Sequence, residues 1–225
     1  MEPVNIEEKE EFKNPNIDEI RIKMLEDQDK KYKSFAVVAG TTASLSALLI
    51  AGNLIFGDGT VSLTCLGSTI AMVSYSIGYL HQIKNNTNEL NEFKSMIERK
   101  TTDSYVKRNL SLTKHCLENY KISKAMNIGA GTGFSIAALT NFYVACTQDN
   151  LSIQASSVIS AALAATVAIM DIMYVSRTKQ RIDQYEKDVE FYEELSAIED
   201  DIKEGKQPQE ALAKRLSEQI SKIGK

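Results

Sequence analysis

Charged residues are missing from four long stretches of this chain. The stretches are residues 34–57, 59–80, 125–148 and 150–176. Only Asp171 interrupts them. About 20 uncharged, mainly apolar residues, at about 1.5 Å each, form a helix that crosses a bilayer core of roughly 30 Å. The sequence therefore predicts four transmembrane helices in two hairpins, at residues 34–80 and 125–176.

Cysteine and histidine are also scarce, with three and two residues respectively. Three scattered cysteines are too few for a disulfide framework, and the pair His115–Cys116 lacks further ligands at a metal-binding spacing. The glycines of residues 129–133 have neither the spacing nor the lysine of a phosphate-binding loop. No catalytic triad or carboxylate pair is identifiable. We therefore expect no catalytic residues, no metal and no cofactor, and a protein that is not an enzyme.

The N-terminal segment lacks the basic residues of a signal peptide. Its first residues are rich in glutamate, and the first apolar run begins at Ser34. The first hairpin would then act as an internal insertion signal. With a formal net charge of −4 and no strongly basic block, the chain is not expected to bind nucleic acid.

Lysine and arginine are confined to the same side of every predicted membrane helix. The residues that flank the helices are Lys30, Lys31, Lys33, Lys84, Lys121, Lys124, Arg177, Lys179 and Arg181. The short connections at residues 57–59 and 148–150 contain none. The positive-inside rule then places residues 1–33, 81–124 and 177–225 in the cytoplasm. The predicted protein is all-α, integral to the membrane and multi-pass, with cytoplasmic helical extensions.

The two hairpins resemble copies of one unit. Residues 44–48 (SLSAL) align with residues 135–139 (SIAAL), and the order of charged and apolar segments repeats. Both copies enter and leave on one side, unlike the inverted repeats of many transporters. A soluble form that buries these apolar helices in its core stays open as an alternative.

Small residues recur every four positions in the predicted membrane helices. The candidates for helix packing are Ala39, Ala43, Ala47, Ala51, Gly129, Gly133 and Ala137. Such rows let helix backbones approach closely in a bilayer, where apolar side chains gain little by associating. They predict a compact four-helix bundle or tight self-association.

Three polar residues in these helices are candidates for a membrane-embedded function. Asp171 is ionisable, and an ionisable group inside a membrane helix is a functional candidate. Asn141 and Asn53 are better suited to hydrogen bonds between helices than to ligand binding. Together with the duplication, Asp171 leaves open a small oligomeric channel or transporter.

The charged segments contain amphipathic helices. Apolar residues at heptad-like spacing after the second and fourth apolar runs predict a short helical stalk or coiled coil. A glycine and a proline near residues 205–208 end the last long helix. The final helix places Leu212, Leu216, Ile220 and Ile223 on one face, which predicts docking on the stalk, on the membrane or on a protein partner.

Paired apolar helices with a minimal turn resemble the bilobed hydrophobic domain of bacterial inclusion-membrane (Inc-type) proteins, here present twice. They are also similar to the two-helix SLATT effectors of bacterial defence. The acidic run at residues 190–204 resembles the glutamate-rich signals of type IV secreted effectors. These resemblances imply an effector in a host membrane, or one that permeabilises its own membrane. We expect a non-enzymatic membrane protein whose cytoplasmic helices scaffold, tether or bind a partner.

Overall fold

The computed structural model contains five α-helices and, within the residues that it describes, no strand. Those residues are 17–56, 60–98, 105–206, 208 and 210–223. The helices are α1 (Ile17–Phe56), α2 (Thr60–Glu98), α3 (Tyr105–Thr147), α4 (Leu151–Lys203) and α5 (Glu210–Ile223). The prediction of an all-α fold is confirmed. The predicted turn at residues 57–59 and the acidic N-terminal residues lie outside the described part of the chain.

The first four helices are 39 to 53 residues long, because nothing in their sequences breaks them. Proline, which disrupts a helix interior, occurs only at positions 3, 15 and 208. Each helix therefore continues from its uncharged run into the neighbouring charged segment. At about 1.5 Å per residue, α4 is roughly 80 Å long.

Consecutive long helices run antiparallel and pack side by side. Lys94 of α2 reaches Glu26 of α1, and Ser76 of α2 reaches the carbonyl of Ala36. Within the described residues, α1 contacts α2, α2 contacts α3 and α3 contacts α4, but the backbones of α1 and α4 do not approach each other. The result is an open four-helix array with a groove between α1 and α4.

The antiparallel packing brings the uncharged runs of the four helices together at one end, which we call the apolar half. The charged segments share the other end, the polar half. Most of the exposed large hydrophobic side chains belong to the apolar half; the exceptions are Ile20, Met24, Tyr105, Leu112 and Leu216. By length and composition, α1, α3 and α4 are apolar enough to cross a membrane; α2, predicted as a further membrane helix, is not among the spans found in the described residues.

Both ends of α4 are capped by local hydrogen bonds. The Asn150 side chain accepts from the backbone N–H groups of Ser152 (3.0 Å) and Ile153 (3.4 Å), as a helix N-cap does. At the other end, Gly205 has a φ of 73°, and the N–H groups of Gly205 and Lys206 donate to the carbonyls of Ile202 and Asp201. This Schellman arrangement ends α4 at the predicted glycine and lets α5 turn back.

Candidate functional site: two polar regions inside the helical array

In the apolar half, α2 and α3 meet through small residues. A Cβ added to Gly133 would lie 2.5 Å from the Ala71 nitrogen, and one added to Gly67 would lie 2.8 Å from the Ala137 Cα. Gly133 and Ala137, two of the residues predicted to pack helices, lie buried at this contact. Gly129 is half-buried beside the Ser74 side chain. The two backbones approach so closely because neither row carries a large side chain.

The predicted alanine row of α1 divides into two parts. Ala39 and Ala43 are buried, whereas Ala47 and Ala51, further along the same row, are exposed. A Cβ added to Gly52 would meet nothing within 4 Å. The interface between α1 and α2 is therefore tight near the polar half and leaves the outer part of the α1 row uncovered.

Asn141 and Asn53 are both half-buried. The Asn141 amide donates to the Ala137 carbonyl of its own helix at 2.8 Å. Hydroxyls of the apolar half do the same four residues back, as for Thr42 to Val38 and Thr132 to Ile128. These bonds pair polar side-chain groups with carbonyls of their own helix.

Asp171 lies inside the apolar half, with 6% of its surface exposed. The Tyr75 hydroxyl donates to its Oδ1 at 2.7 Å, which links α2 to α4, and Gly131 of α3 leaves room beside its Cβ. Its second oxygen, Oδ2, has no hydrogen-bond partner among the described residues. Asp171 thus forms a polar contact between α2 and α4 inside the apolar half.

A larger polar region lies inside the polar half. On α3, polar side chains recur every four residues, at Ser111, His115, Asn119, Ser123 and Asn127. They face a polar set on α2, formed by Gln82, Asn85, Asn86 and Glu89. Asn119 connects the two sets: its Oδ1 accepts from Asn85 (3.0 Å), and its Nδ2 donates to Asn86 Oδ1 (3.2 Å). We call these side chains the polar layer.

Arg21 of α1 closes one end of the polar layer. Its guanidinium pairs with Glu89 and lies over the Phe93 ring, 4.2 Å from the centroid. Ser111 donates to the other Glu89 oxygen at 3.3 Å. Burial raises the pKa of Glu89, while Arg21 and Ser111 lower it, and the net direction is upward. Arg21 is therefore the counter-ion that keeps a largely buried carboxylate in place.

His115 is buried in this layer, with 8% of its surface exposed. Its Nε2 lies 3.0 Å from Asn119 Nδ2, an amide nitrogen that only donates. Nε2 must therefore accept, and the proton of the neutral ring is on Nδ1. Burial, aided by the charge of Arg21, lowers the pKa of His115 to about 4, so the ring is neutral at neutral pH.

A cavity of about 350 Å³ borders the polar layer, at the level where the α1–α4 groove opens. Tyr32 of α1, Tyr120 of α3, and Tyr174 and Tyr185 of α4 line it. Gln82, His115, Asn119 and Ser123 contribute amide, imidazole and hydroxyl groups to its lining. Four tyrosines line this cavity beside the amide, imidazole and hydroxyl groups of the polar layer, and it is our candidate functional site.

The sequence does contain a pattern that indicates this site, but it is a pattern of polar residues and not of hydrophobic ones. The sequence gives His115 no metal-binding partner at a suitable spacing. The row of polar residues spaced by four on α3 indicates instead a continuous buried polar stripe. Among the described residues, no group of three His, Cys, Asp or Glu side chains can hold a metal ion.

Ion pairs join α3 to α4 on the outside of the polar half. Lys107, Lys114 and Lys121 are seven residues apart and pair with Asp200 (2.8 Å), Glu193 (2.8 Å) and Glu186 (3.1 Å). The acidic residues have the same spacing. This ladder fixes the register of the two antiparallel helices.

The last helix, α5, packs against α4. Arg215 of α5 pairs with Glu194 of α4. Leu212 is half-buried and Leu216 remains 39% exposed. The side chains of Ile220 and Ile223, the other two members of the predicted apolar face, lie outside the described residues. Comparisons with protein families, curated proteins and solved structures found no match.

Proposed function

We propose that this chain is a multi-pass membrane protein that anchors a helical stalk at the membrane surface and presents it to a protein partner. The observation that carries the proposal is the division of all four long helices into apolar and polar halves at one common level. The apolar half exposes large side chains such as Leu48 (68%) and Leu139 (71%), which suit lipid and not water. Among the described residues, the polar half carries the ion pairs and all the Asp, Glu, Lys and Arg side chains except Asp149 and Asp171.

The proposed arrangement has two membrane hairpins, formed by the apolar halves of α1 with α2 and of α3 with α4. The N-terminus, the segment between α2 and α3 and the C-terminus face the cytoplasm, following the distribution of lysine and arginine. The proposed activity is binding, without catalysis. A secreted effector that acts from a host membrane is one protein class that fits this architecture.

Two engineered cysteines test the membrane arrangement. In a variant with Cys65, Cys116 and Cys146 replaced by serine, Asp149→Cys lies in the α3–α4 connection and Lys187→Cys lies in the polar half. Both positions are exposed. In intact bacteria that express the chain in the inner membrane, a membrane-impermeant maleimide that crosses only the outer membrane should label Asp149→Cys and leave Lys187→Cys unlabelled until the cells are opened. Extraction of the chain from membranes by alkaline carbonate, or the reverse labelling pattern, would contradict the proposal.

The partner-binding part is tested on α5, whose Leu216 remains exposed beside its contact with α4. We expect Leu216→Asp to reduce co-purification of a bound protein from detergent-solubilised membranes, while insertion is unchanged. Ser217→Asp adds the same charge at the neighbouring exposed position and serves as the matched control. Equal co-purification with both variants would rule out α5 as the binding face.

A second candidate function, a small channel or transporter, rests on Asp171. This carboxyl is buried in the apolar half and has one unpartnered oxygen among the described residues. Ion or proton flux into liposomes that contain the purified chain, abolished by Asp171→Asn, would favour transport. Absence of flux at all protein densities would leave the anchored stalk as the function.

A further inference from the structure

We propose that the groove between α1 and α4 holds one anionic phospholipid, with its phosphodiester on Arg177 and Arg181 and an acyl chain along the apolar half. The site depends on the membrane arrangement proposed above, in which the two arginines lie at the cytoplasmic surface of the bilayer. Its parts are the arginine pair, a polar cavity beside the pair and a mainly apolar cavity further along α4.

Arg177 and Arg181 are four residues apart on the same face of α4, and both are exposed. Arg21 pairs with Glu89, and the lysines of the α3–α4 ladder pair with acidic side chains of α4. Neither Arg177 nor Arg181 has an ion pair among the described residues. Like charges at this spacing repel each other on a helix. An anion bound between the two guanidinium groups would offset that repulsion.

A cavity of about 450 Å³ borders this pair, and we call it the arginine cavity. Guanidinium groups bind phosphate oxygens through parallel N–H···O bonds, and amide and phenol groups donate further hydrogen bonds. Both kinds of donor line the arginine cavity, and its described lining residues include no Asp or Glu. Besides the arginines, these residues are Tyr120, Tyr174, Thr178, Gln180 and Gln184.

The position of the arginine cavity suits a lipid headgroup. Arg177 is the first charged residue after the uncharged run of α4, apart from Asp171 inside that run. Tyr120 and Tyr174 also line the tyrosine-rich cavity that borders α1, so the arginine cavity lies on the groove side of α4. Basic pockets on the cytoplasmic side of membrane helices bind anionic headgroups, and tyrosines are enriched at this level.

A second cavity, of about 290 Å³ and mainly apolar lining, lies in the apolar half. Leu163 and Val167 line it from α4 and Phe134 lines it from α3. Leu163, Val167 and Tyr174 are four and seven residues apart, which places them on one face of α4. Val167 precedes Arg177 by about 15 Å along the helix, roughly half of a hydrocarbon core of about 30 Å. This depth matches the acyl chain of one leaflet.

The groove favours a lipid over free phosphate as the source of the anion. Leu163 is 65% exposed and Met170, on the same face of α4, is 63% exposed. The backbones of α1 and α4 do not approach each other in the described residues, so the groove is open to the bilayer. Free phosphate would contact the arginines alone, whereas a phospholipid would also cover these apolar side chains.

The test measures binding of tritium-labelled dioleoylphosphatidylglycerol to the full-length protein in detergent. Unlabelled dioleoylphosphatidylglycerol should compete about fivefold or more better than dioleoylphosphatidylcholine, which has the same chains but no net charge. Inorganic phosphate in large excess should not displace the lipid, because it gains nothing from the apolar cavity. Equal competition by the two lipids, or displacement by phosphate, would overturn the proposal.

Variants at the arginines test the headgroup contact. Arg177→Gln and Arg181→Gln should each weaken binding of the labelled lipid about fivefold, the effect of one basic residue near an anionic lipid. Lys179→Gln removes the same charge from an exposed position between them that does not line the arginine cavity, and should leave binding unchanged. Equal losses in all three variants would show a response to overall charge and would contradict the site.

Variants in the apolar half test the chain contact. Ala164→Phe fills the apolar cavity and should weaken binding of the labelled lipid. Ala162→Phe adds the same ring at an exposed position of α4 outside this cavity and is the matched control. Equal affinity of these two variants would show that no acyl chain lies in the groove, and would overturn the proposal.

Cysteine labelling separates failure of the lipid site from failure of the membrane arrangement. A labelling pattern that contradicts the arrangement would overturn both, because the arginines would then not lie at a cytoplasmic surface. The expected labelling together with equal competition by the two lipids would overturn the lipid site alone. The lipid comparison uses the unaltered protein, so it remains decisive if a variant fails to fold.

Discussion

Single glycines determine how closely α2 and α3 approach. At Gly133 the space that a Cβ needs is occupied by the backbone of α2, at Ala71, and a backbone cannot rotate away as a side chain can. At Gly52 of α1 the same Cβ would meet nothing within 4 Å. These two helical glycines of the apolar half therefore form a matched pair for mutation.

We predict that Gly133→Ala destabilises the folded protein by about 1–3 kcal/mol, the usual cost of overpacking. Gly52→Ala should be neutral or slightly stabilising, because alanine is the better helix former. Thermal unfolding in detergent, followed by circular dichroism, measures both variants. Equal melting temperatures for the two would show that α2 and α3 do not pack as closely as described.

The lowered pKa of His115 predicts how the stability of the fold changes with pH. The unfolded histidine binds a proton near pH 6.5 and the folded one only near pH 4, so the unfolded state binds more protons between these values. His115 therefore stabilises the fold above pH 6.5, and this contribution is lost as the pH falls towards 4. The full loss is about 3 kcal/mol.

The measurement is the difference in melting temperature between wild type and His115→Gln at pH 7 and at pH 4.5. The advantage of the wild type should shrink on acidification. The raised pKa of Glu89 makes its contribution to stability grow on acidification. Glu89 is present in both proteins, so this contribution cancels in the difference. His81→Gln, which changes the other histidine at an exposed position, is the matched control.

At the scale of the helices, α3 and α4 are joined by the ladder of ion pairs, and each pair contributes little stability by itself. Its side chains are about half exposed, as for Lys114 (51%) and Glu193 (53%). Exposed pairs contribute about 0.2–1 kcal/mol each. Their regular spacing of seven residues gives them more importance for register than for stability.

We predict that Lys114→Glu lowers stability and that adding Glu193→Lys restores it, because the reversed pair reforms at the same rung. The coupling energy from the double-mutant cycle should be about 0.2–1 kcal/mol and should decrease in 1 M salt. Lys187→Glu, on α4 at an exposed position outside the ladder, should show no coupling to Glu193→Lys. A coupling near zero for the Lys114 pair would mean that the ladder does not form in solution.

At the scale of the whole molecule, the features that depend on local composition could be predicted from the sequence. Uninterrupted helices follow from the absence of proline between residues 16 and 207, and the end of α4 follows from Gly205. The buried polar layer was not predicted, because polar residues spaced by four look the same on a solvated face and on a shared interior. The facing helix decides whether such a row is solvated or buried, and here α2 places Gln82, Asn86 and Glu89 opposite α3.

The alanine row of α1 illustrates the same limit. All four alanines follow one spacing rule, yet only Ala39 and Ala43 are covered by a neighbour. A row of small residues indicates where a helix can approach but not how far the contact extends. That depends on the crossing of α1 with α2, which no local pattern encodes.

The unbroken course of α4 has a mechanical consequence. A continuous helix of 53 residues without a proline transmits displacement along its length as a lever. A force applied to α5, which is attached near the C-terminal end of α4, is delivered from Lys203 to the segment that holds Asp171, roughly 48 Å along the helix. We therefore expect a partner that pulls on the proposed stalk to tilt the apolar half as well.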